Sequence, residues 1–123
     1  MKFHLLASEG TQYLINAYTH DSVTINELVY RENLVVMPTQ LQQWSAHSFE
    51  RLSVEDFAAL CTLKPELILL GTGSRLRFPK PALLLPCMEI NLSVEVMDMR
   101  AACRTYNILM GEGRNVAAAL LFD

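Results

Sequence analysis

A short apolar run bounded by chain-breaking residues constrains the fold of this chain most strongly. Residues 67–71 read LILLG, with Lys64-Pro65 just before the run and Gly73 just after it. A continuous apolar run of this length, without polar alternation, is typical of a strand that is buried in a parallel part of a sheet. The run therefore predicts a central strand of an α/β fold.

The C-terminal third of the chain predicts a second strand, a helix and a third strand. LSVEVMD at residues 92–98 has strand character, and Asp98 is well placed to cap a helix from Met99 to about Glu112. An apolar stripe at helical spacing runs through Met99, Ala102, Cys103, Tyr106, Leu109 and Met110. VAAALLF at residues 116–122 is alanine-rich but short, and we expect a strand because the preceding helix needs a sheet to pack on.

Two further helical segments precede that region. Ser53 is a candidate N-cap, since two acidic residues follow it and apolar residues then recur at helical spacing until Lys64-Pro65. Residues 80–91 predict a connecting helix that Pro86 should kink or divide, because a proline in a helix interior removes a hydrogen bond.

Residues 1–40 predict a small β-rich unit. Its four segments are rich in β-branched and aromatic residues and are separated by polar turns: FHLL (3–6), YLINAY (13–18), VTINELVY (23–30) and NLVVMP (33–38). Pro38 ends the fourth segment, since proline cannot donate to a ladder. No repeat or linker interrupts the chain, so we expect a single domain over residues 1–123, built as β-α-β-α-β with an N-terminal β-rich unit.

The order of these elements places two loops at one edge of the sheet. A right-handed crossover between two strands makes them parallel, so the loop after Leu70 and Asp98 after the next strand emerge at the same edge. Ligands of open α/β sheets bind outside the carboxyl ends of the strands. This edge is therefore the expected position of a site.

The loop Gly71-Thr72-Gly73, here called the glycine loop, is the first part of that candidate site. Its glycines free backbone N–H groups to point at an anion, and Arg75 and Arg77 add positive charge. Leu76 stands where a dinucleotide fingerprint has its third glycine, and no Gly-Lys-Ser/Thr sequence follows. The loop is either a tight turn leaving a buried strand or a site for a small anion or a partner's carboxylate.

Polar residues of the helix at 99–112 form the second part. Arg100 and Arg104 are a like-charged i,i+4 pair, which is destabilising unless acidic side chains neutralise it. The acidic candidates are Glu95, Asp98 and Glu112. We expect either a structural network or a cleft with Asp98 or Glu112 handling a proton. The candidate ligand-binding residues are Gly71, Thr72, Gly73, Asp98, Arg104, Thr105 and Asn107.

Composition and charge argue against several classes of protein. A net charge of -3 is unlike that of a general nucleic-acid binder, which carries a basic face. No apolar run approaches the roughly 18 residues of a membrane span. The first apolar run is also too short for a secretory signal, so we expect a cytoplasmic protein.

Metal and nucleophile chemistry have no support in the residue pattern. The histidines lack ligand spacing, and Cys61, Cys87 and Cys103 lie among apolar neighbours without a CxxC pattern. We expect buried free thiols of a reducing compartment. No serine or cysteine has a recognisable elbow or neighbouring base, so we predict no catalytic residue, no metal and no cofactor.

Several stretches resemble one known family. ELILLGTG, VEVMD, AACRTYNILMGEGRNVAAALL and, earlier, VVMP with a following tryptophan resemble the Mth-like domain family of unknown function. The resemblance covers nearly the whole chain and is strongest over residues 66–121. Two departures are Met99, where the family usually has threonine, and Pro86, which interrupts a helix that is usually smoother.

The resemblance implies a three-layer α/β fold with a mixed central sheet and an N-terminal β unit. It implies no established enzymatic activity. For the eukaryotic branch of the family it implies a role in assembling respiratory complex I by binding other assembly factors. These are expectations from the resemblance, since a fold by itself does not define a function.

Two functional hypotheses follow. The first is a non-enzymatic interaction or assembly factor that binds protein partners, with an exposed Trp44, Phe49 and the second edge of the sheet as contact surfaces. Burial of Trp44 beneath residues 38–52 is an equal alternative. The second hypothesis is a small-molecule binder or unassigned enzyme that holds an anionic ligand in the cleft between the glycine loop and the start of the helix at 99–112.

Overall fold

The structure is a computed structural model that describes residues 11–123. The predicted strand segment FHLL (3–6), which includes His4, lies outside the described residues. The strands are β1 (Ile15–Tyr18), β2 (Val23–Ile25), β3 (Leu28–Tyr30), β4 (Leu34–Met37), β5 (Gln40–Gln43), β6 (Leu67–Gly71), β7 (Ser93–Met97) and β8 (Val116–Leu120). The helices are α1 (Val54–Cys61), a 3₁₀ turn (Pro81–Leu84), α2 (Leu85–Glu89) and α3 (Met99–Gly111).

The strands form two sheets. β1, β2 and β3 make a three-stranded antiparallel sheet, and the other five strands form a sheet in the order β5-β4-β8-β6-β7. β6 pairs in parallel with β7 and β8, whereas β4 pairs antiparallel with β5 and β8. The predicted α/β fold with a mixed central sheet is confirmed, and residues 116–120 are a strand as expected.

The strand β6 is buried on both faces because apolar side chains alternate between two cores. Leu69 packs into a cluster with α3 and with β1 and β2, while Ile68 and Leu70 pack into a second cluster with α1 and α2. The alanines of β8 also alternate between the two clusters, and their small side chains let the helices approach the sheet closely. The result is three layers, with α1 and α2 on one face of the sheet and α3 with the three-stranded sheet on the other.

The N-terminal β-rich unit is smaller than its sequence pattern suggested. NLVVMP contributes β4 to the five-stranded sheet, because its side chains are buried on both faces as a central strand requires. VTINELVY is two strands rather than one. A hairpin turn divides it at Asn26 and Glu27, whose φ angles are 47° and 73°, as a two-residue hairpin loop requires.

The N-terminus of α1 is capped as predicted and also buries the tryptophan. Ser53 Oγ accepts from the Asp56 backbone N–H at 3.3 Å, and Asp56 Oδ2 accepts from the Ser53 N–H at 3.0 Å, which is a reciprocal capping box. Trp44 Nε1 donates to the Asp56 carbonyl at 3.1 Å, and its ring meets Phe57 edge-on. Trp44 is only 4% exposed, so the hypothesis of an exposed Trp44 is wrong and the alternative of burial is correct.

Pro86 divides the connecting segment at 80–91 as expected. A 3₁₀ turn ends at Leu84, and α2 begins at Leu85 with Pro86 in its first turn. Proline is tolerated at this position because the first helical N–H groups have no intrahelical acceptor. The division leaves Leu85 and Met88 on the surface while Cys87 enters the core.

Candidate functional site

The glycine loop is a closed turn held by Thr72. The Thr72 side chain is fully buried, and its hydroxyl donates to the Arg75 carbonyl at 2.8 Å and accepts from the Arg77 N–H at 3.1 Å. The Thr72 N–H donates to the Met97 carbonyl at 2.9 Å. These contacts use the polar groups of Thr72 to hold the turn and to join it to β7, so this threonine has a structural role.

Arg77 also holds the turn instead of facing a ligand. Its guanidinium donates to the Thr72 carbonyl at 2.8 Å, pairs with Glu50 at 3.2 Å and lies 4.6 Å from the centre of the Phe49 ring. Such a contact of a cation with an aromatic face contributes roughly 0.5–1 kcal/mol. The positive charge of Arg77 is therefore already engaged, whereas Arg75 is exposed and has no ion-pair partner within residues 11–123.

A carboxylate of the chain itself lies at the glycine loop. The Ser74 N–H donates to Asp123 Oδ1 at 2.9 Å. Gly73 has a φ of 88°, and a side chain there would meet the Asp123 carboxylate. Hydrogen bonds from the side chain and backbone of Ser74, with a smaller contribution from Arg77, hold the pKa of Asp123 below its ordinary value. The loop thus binds a carboxylate, but one that the chain supplies.

Asp98 lies beside this loop, as the parallel strands require. Met99 N–H donates to the Gly73 carbonyl at 2.7 Å, which joins the start of α3 to the glycine loop. Asp98 Oδ1 accepts from the Ala101 N–H at 2.9 Å. Asp98 therefore caps α3, as predicted.

Asn107 joins α3 to the edge of β1. Its Oδ1 accepts from the Ile15 N–H at 3.0 Å, and its Nδ2 donates to the Ile15 carbonyl at 2.8 Å. The preceding residue also contacts this segment, since the Tyr106 hydroxyl donates to the Tyr13 carbonyl at 2.7 Å, and burial raises the pKa of Tyr106 above its ordinary value. Asn107 thus binds both backbone groups of Ile15, as a paired strand would, and Tyr106 binds the backbone just before β1. The sequence pattern did not predict these contacts.

Arg104 lines a groove of about 500 Å³ between β1 and α3, here called the arginine groove. Its lining residues are Ile15, Asn16, Ala17, Tyr18, Arg100, Cys103, Arg104 and Asn107. Within residues 11–123, neither Arg100 nor Arg104 has an ion-pair partner, so the expected neutralisation by nearby acids is absent. The groove therefore presents two uncompensated positive charges.

The predicted site residues fall into two groups. The glycine loop and Asp98 are adjacent at the end of β6, and Arg104 and Asn107 lie together at the arginine groove. A smaller depression of about 130 Å³, bordered by Gly73, Met99 and Tyr18, lies beside the loop, and Tyr18 borders the arginine groove as well. Thr105 is half-buried on α3 and does not line the arginine groove.

A further groove of about 590 Å³ beside β5 was not predicted from the sequence. It is lined by Arg31, Glu32, Asn33, Val35, Gln42, Gln43, Trp44, Ser45, Ala46, His47, Ala59, Leu60, Phe122 and Asp123. Asn33 ties it together, since its amide binds the carbonyls of Ala46 and His47 and the N–H of Phe122. Four separate stretches of the chain contribute, so no local motif could have signalled this groove.

The described residues offer no grouping of metal ligands. Three or more histidine, cysteine, aspartate or glutamate side chains do not converge anywhere in residues 11–123. All three cysteines are free, and Cys87 and Cys103 are buried whereas Cys61 is half-buried. No helix in this part of the chain is long and apolar enough to cross a membrane.

Comparison with known sequences gives a family match over almost all described elements. A family described as protein of unknown function (DUF498/DUF598) matches residues 15–121. The match runs from the first residue of β1 to just past the end of β8. It includes both halves of the candidate site.

Several curated relatives carry an assembly-factor name. NADH dehydrogenase (ubiquinone) 1 alpha subcomplex assembly factor 3 of Danio rerio is 34% identical over 117 residues, which are 94% of this chain and 66% of the relative. The protein of the same name from Mus musculus is 32% identical over 98% of this chain and 66% of its own length. A 13 kDa major membrane protein of Francisella tularensis is 26% identical over 85% of this chain and 86% of the relative. The chain spans 59–66% of the length of the first assembly factors it matches.

Solved structures share the fold. A crystal structure of a Bordetella parapertussis protein has a TM-score of 0.86 at 31% identity, covering 94% of this chain and 99% of the other. A Xanthomonas campestris protein has a TM-score of 0.82 at 34% identity, with coverages of 94% and 90%. A Bordetella pertussis protein described as a Mth938-like domain has a TM-score of 0.73 at 27% identity, covering 98% of this chain and 92% of the other.

Proposed function

The chain belongs to the family described as protein of unknown function (DUF498/DUF598), and from this membership we propose that it is a non-enzymatic interaction factor that helps to assemble a protein complex. The resemblance of its sequence to the Mth-like domain family is confirmed by the family match and by the Mth938-like neighbours. The relatives named as complex I assembly factors support a role in assembling respiratory complex I. We propose the same role for this chain, which matches only part of the length of those relatives.

The observation that carries the proposal is an apolar surface on the connection from β6 to β7. Its large hydrophobic side chains are exposed by half or more, and we call them the crossover face: Leu76, Phe78, Leu85, Met88 and Ile90. Phe78 is 71% exposed, more than any other large hydrophobic side chain in residues 11–123. Exposed apolar side chains gathered on one connecting segment are typical of a surface that meets another protein.

The open edge of the five-stranded sheet lies beside the crossover face. β7 pairs with β6 on one side, and no strand of residues 11–123 pairs with its other side. α2 packs against β7, so the exposed Leu85 and Met88 stand near this edge. An open edge accepts a strand of a partner through backbone hydrogen bonds, while contacts of side chains beside the edge give specificity.

The docking proposal is tested by comparing two matched double variants. Leu85→Ser with Met88→Ser removes side chains that are 51% and 59% exposed, and Leu28→Ser with Val29→Ser removes side chains on β3 that are 50% and 56% exposed. Both changes remove similar exposed apolar surface, so any general effect on solubility is shared. We expect the crossover variant to lose a specific partner in affinity purification from the native host, and the β3 variant to retain it.

Complementation tests the proposed role in the assembly of respiratory complex I. In a host lacking this protein, wild type and the β3 variant should restore the amount of assembled complex I on native gels, and the crossover variant should not. Retention of the partner by both variants would remove the crossover face from the proposal. Normal complex I in the host lacking the protein would remove the assembly role.

We propose that the protein is cytoplasmic, since its three cysteines lie among apolar neighbours without a CxxC pattern. Fractionation of the host tests this placement. Recovery of the native protein in a membrane fraction that salt does not release would contradict it.

A second candidate function is the binding of a small anion in the arginine groove. It is favoured by the absence of ion-pair partners for Arg100 and Arg104 within residues 11–123. Two arginines one helical turn apart repel each other, and an anion between them relieves that repulsion. Thr105, the glycine loop and Asp98 have structural contacts or lie elsewhere, so the anion proposal rests on the arginines.

Thermal shift with phosphate and citrate tests the anion proposal. Wild type should gain stability with increasing anion, and Arg100→Ala with Arg104→Ala should lose that gain. Arg51→Ala, which removes an exposed arginine remote from the groove, should keep it. An equal shift for all three proteins would show a general salt effect and refute the site.

A further inference from the structure

Two cysteines that are 26 residues apart in sequence face each other between α1 and α2. Cys61 is the last residue of α1, Cys87 lies within α2, and both thiols are free. Their Sγ atoms are 3.5 Å apart. We propose that Cys61 and Cys87 form a redox-modifiable dithiol site, in which a hydroperoxide oxidises the pair to an intramolecular disulfide.

The distance makes the cross-link geometrically accessible. A disulfide bond is about 2.05 Å long, so the two sulfur atoms must approach by about 1.5 Å from their separation of 3.5 Å. Cys61 stands at the end of its helix, and α2 is a short helix between a 3₁₀ turn and a loop. Side-chain rotation with a small shift of these helix ends supplies the approach.

The two thiols have different environments, which assigns their order of reaction. Cys61 is half-buried and can meet a small oxidant, whereas Cys87 is completely buried. Burial, with a further contribution from the neighbouring Cys61, raises the pKa of Cys87 to about 12. The half-buried Cys61 therefore meets the oxidant first, and the buried Cys87 then attacks the oxidised Cys61 sulfur.

The reaction balances with hydrogen peroxide as the oxidant. The Cys61 thiolate attacks one peroxide oxygen, an S–O bond forms, the O–O bond breaks, and the departing hydroxide takes the thiol proton to become water. Cys87 sulfur then attacks Cys61 sulfur, the S–S bond forms, the S–O bond breaks, and the second hydroxide leaves with the Cys87 proton as water. The two sulfurs lose two electrons in total and the peroxide gains them.

Cys103 provides a control within the same chain. It lies in α3 in the core on the opposite face of the sheet, where its Sγ is 3.7 Å from Met99 Sδ. Burial raises the pKa of Cys103 to about 12 as well. Cys103 therefore matches Cys87 in burial, but it lies apart from the Cys61–Cys87 pair.

The cross-link joins the helix α1 to the segment that carries the crossover face. α1 and α2 pack on one core cluster, and Leu85 and Met88 project outward from α2. A covalent bond between the helices restricts the movement of α2 relative to the sheet. The modification itself does not depend on the docking function proposed above.

Peptide mapping of the wild-type protein tests the proposal without a mutation. The reduced protein is treated with excess hydrogen peroxide, remaining thiols are alkylated in denaturant, and proteolytic peptides are identified by mass spectrometry. We expect a peptide pair linked through Cys61 and Cys87, its loss after dithiothreitol, and an alkylated Cys103. Cys61→Ala should abolish the linked pair and Cys103→Ala should retain it, with circular dichroism confirming that both variants are folded.

The same oxidation in urea shows whether the folded geometry selects the pair. In an unfolded chain the shorter loop between Cys87 and Cys103 closes more readily than the longer loop from Cys61 to Cys87. We expect the linkage to change toward Cys87–Cys103 under these conditions. Free Cys61 and Cys87 after peroxide treatment of the folded protein, or their accumulation as sulfinic acids without a cross-link, would overturn the proposal.

Discussion

Replacing Asn107 with alanine tests whether this residue holds β1 on α3 or is available for a ligand. The change removes an acceptor 3.0 Å from the Ile15 N–H and a donor 2.8 Å from the Ile15 carbonyl. Each hydrogen bond contributes about 0.5–1.5 kcal/mol to stability. We therefore expect the free energy of unfolding to fall by about 2 kcal/mol, the sum of two such bonds.

This loss is large enough to measure by two methods. The unfolding entropy of globular proteins is about 2.1 cal/mol/K per residue, so for 123 residues it is about 260 cal/mol/K. A loss of about 2 kcal/mol then lowers Tm by about 8 °C. Urea unfolding followed by far-UV circular dichroism gives the free energy, and scanning calorimetry gives Tm.

Thr105→Ala is the matched control for Asn107→Ala. Thr105 lies on the same helix and is half-buried, but its side chain makes no hydrogen bond within the described residues 11–123. Its replacement should change stability by no more than about 0.5 kcal/mol. An Asn107→Ala protein as stable as wild type would refute the view that Asn107 holds β1 on α3 and would make Asn107 a ligand-binding candidate again.

Three further predictions concern the glycine loop and the cysteine pair. Hydrogen bonds from Ser74 lower the pKa of Asp123 from its ordinary value of 3.8. The ionised Asp123 carboxylate therefore stabilises the fold above pH 3.8, and this stabilisation is lost as the pH falls through the lower pKa of the folded state. The Tm values of wild type and Asp123→Asn should converge as the pH is lowered, and a constant difference between them would contradict this. Gly73→Ala places a side chain at φ 88° against Asp123 and should lower the free energy of unfolding in urea by about 1–2 kcal/mol, whereas Gly111→Ala meets open space and should be neutral or slightly stabilising. The oxidised Cys61–Cys87 form closes a loop over a separation of 26 residues and should unfold in urea with a stability about 3.5 kcal/mol above that of the reduced form, by loop entropy; equal midpoints would contradict this.

The central part of the fold was readable from local pattern. The apolar run at 67–71 is a central strand because its side chains are buried on both faces. The alternating stretch at 93–97 is its parallel neighbour at the edge of the sheet, where Ser93 and Glu95 are exposed. Ser53 and Asp98 cap their helices through side-chain oxygens, a contact that spans three residues and is visible in sequence. Turn geometry was harder to read, and the positive φ angles of Asn26 and Glu27 divided a segment that looked like one strand.

The candidate site was only partly readable because its decisive contacts are remote in sequence. Asp123 binds Ser74 across 49 residues, and Asn107 binds Ile15 across 92 residues. No periodicity or spacing rule connects such positions. The glycine loop has the composition of an anion-binding loop, which is why the sequence suggested an anion site. In the fold, the N–H of Ser74 next to this loop already donates to the Asp123 carboxylate of the same chain.

The sequence by itself determined the class of elements, the two-sided burial of β6, the capping of α1 and α3 and the family of this protein. These properties depend on residues within a few positions of one another, or on a pattern long enough to be specific. Only the tertiary structure decided that Trp44 is buried, that Arg77 and Asn107 hold other segments in place, and that Cys61 faces Cys87. Each of those facts depends on which surfaces meet when the helices pack on the sheet, and that packing is set by the whole chain.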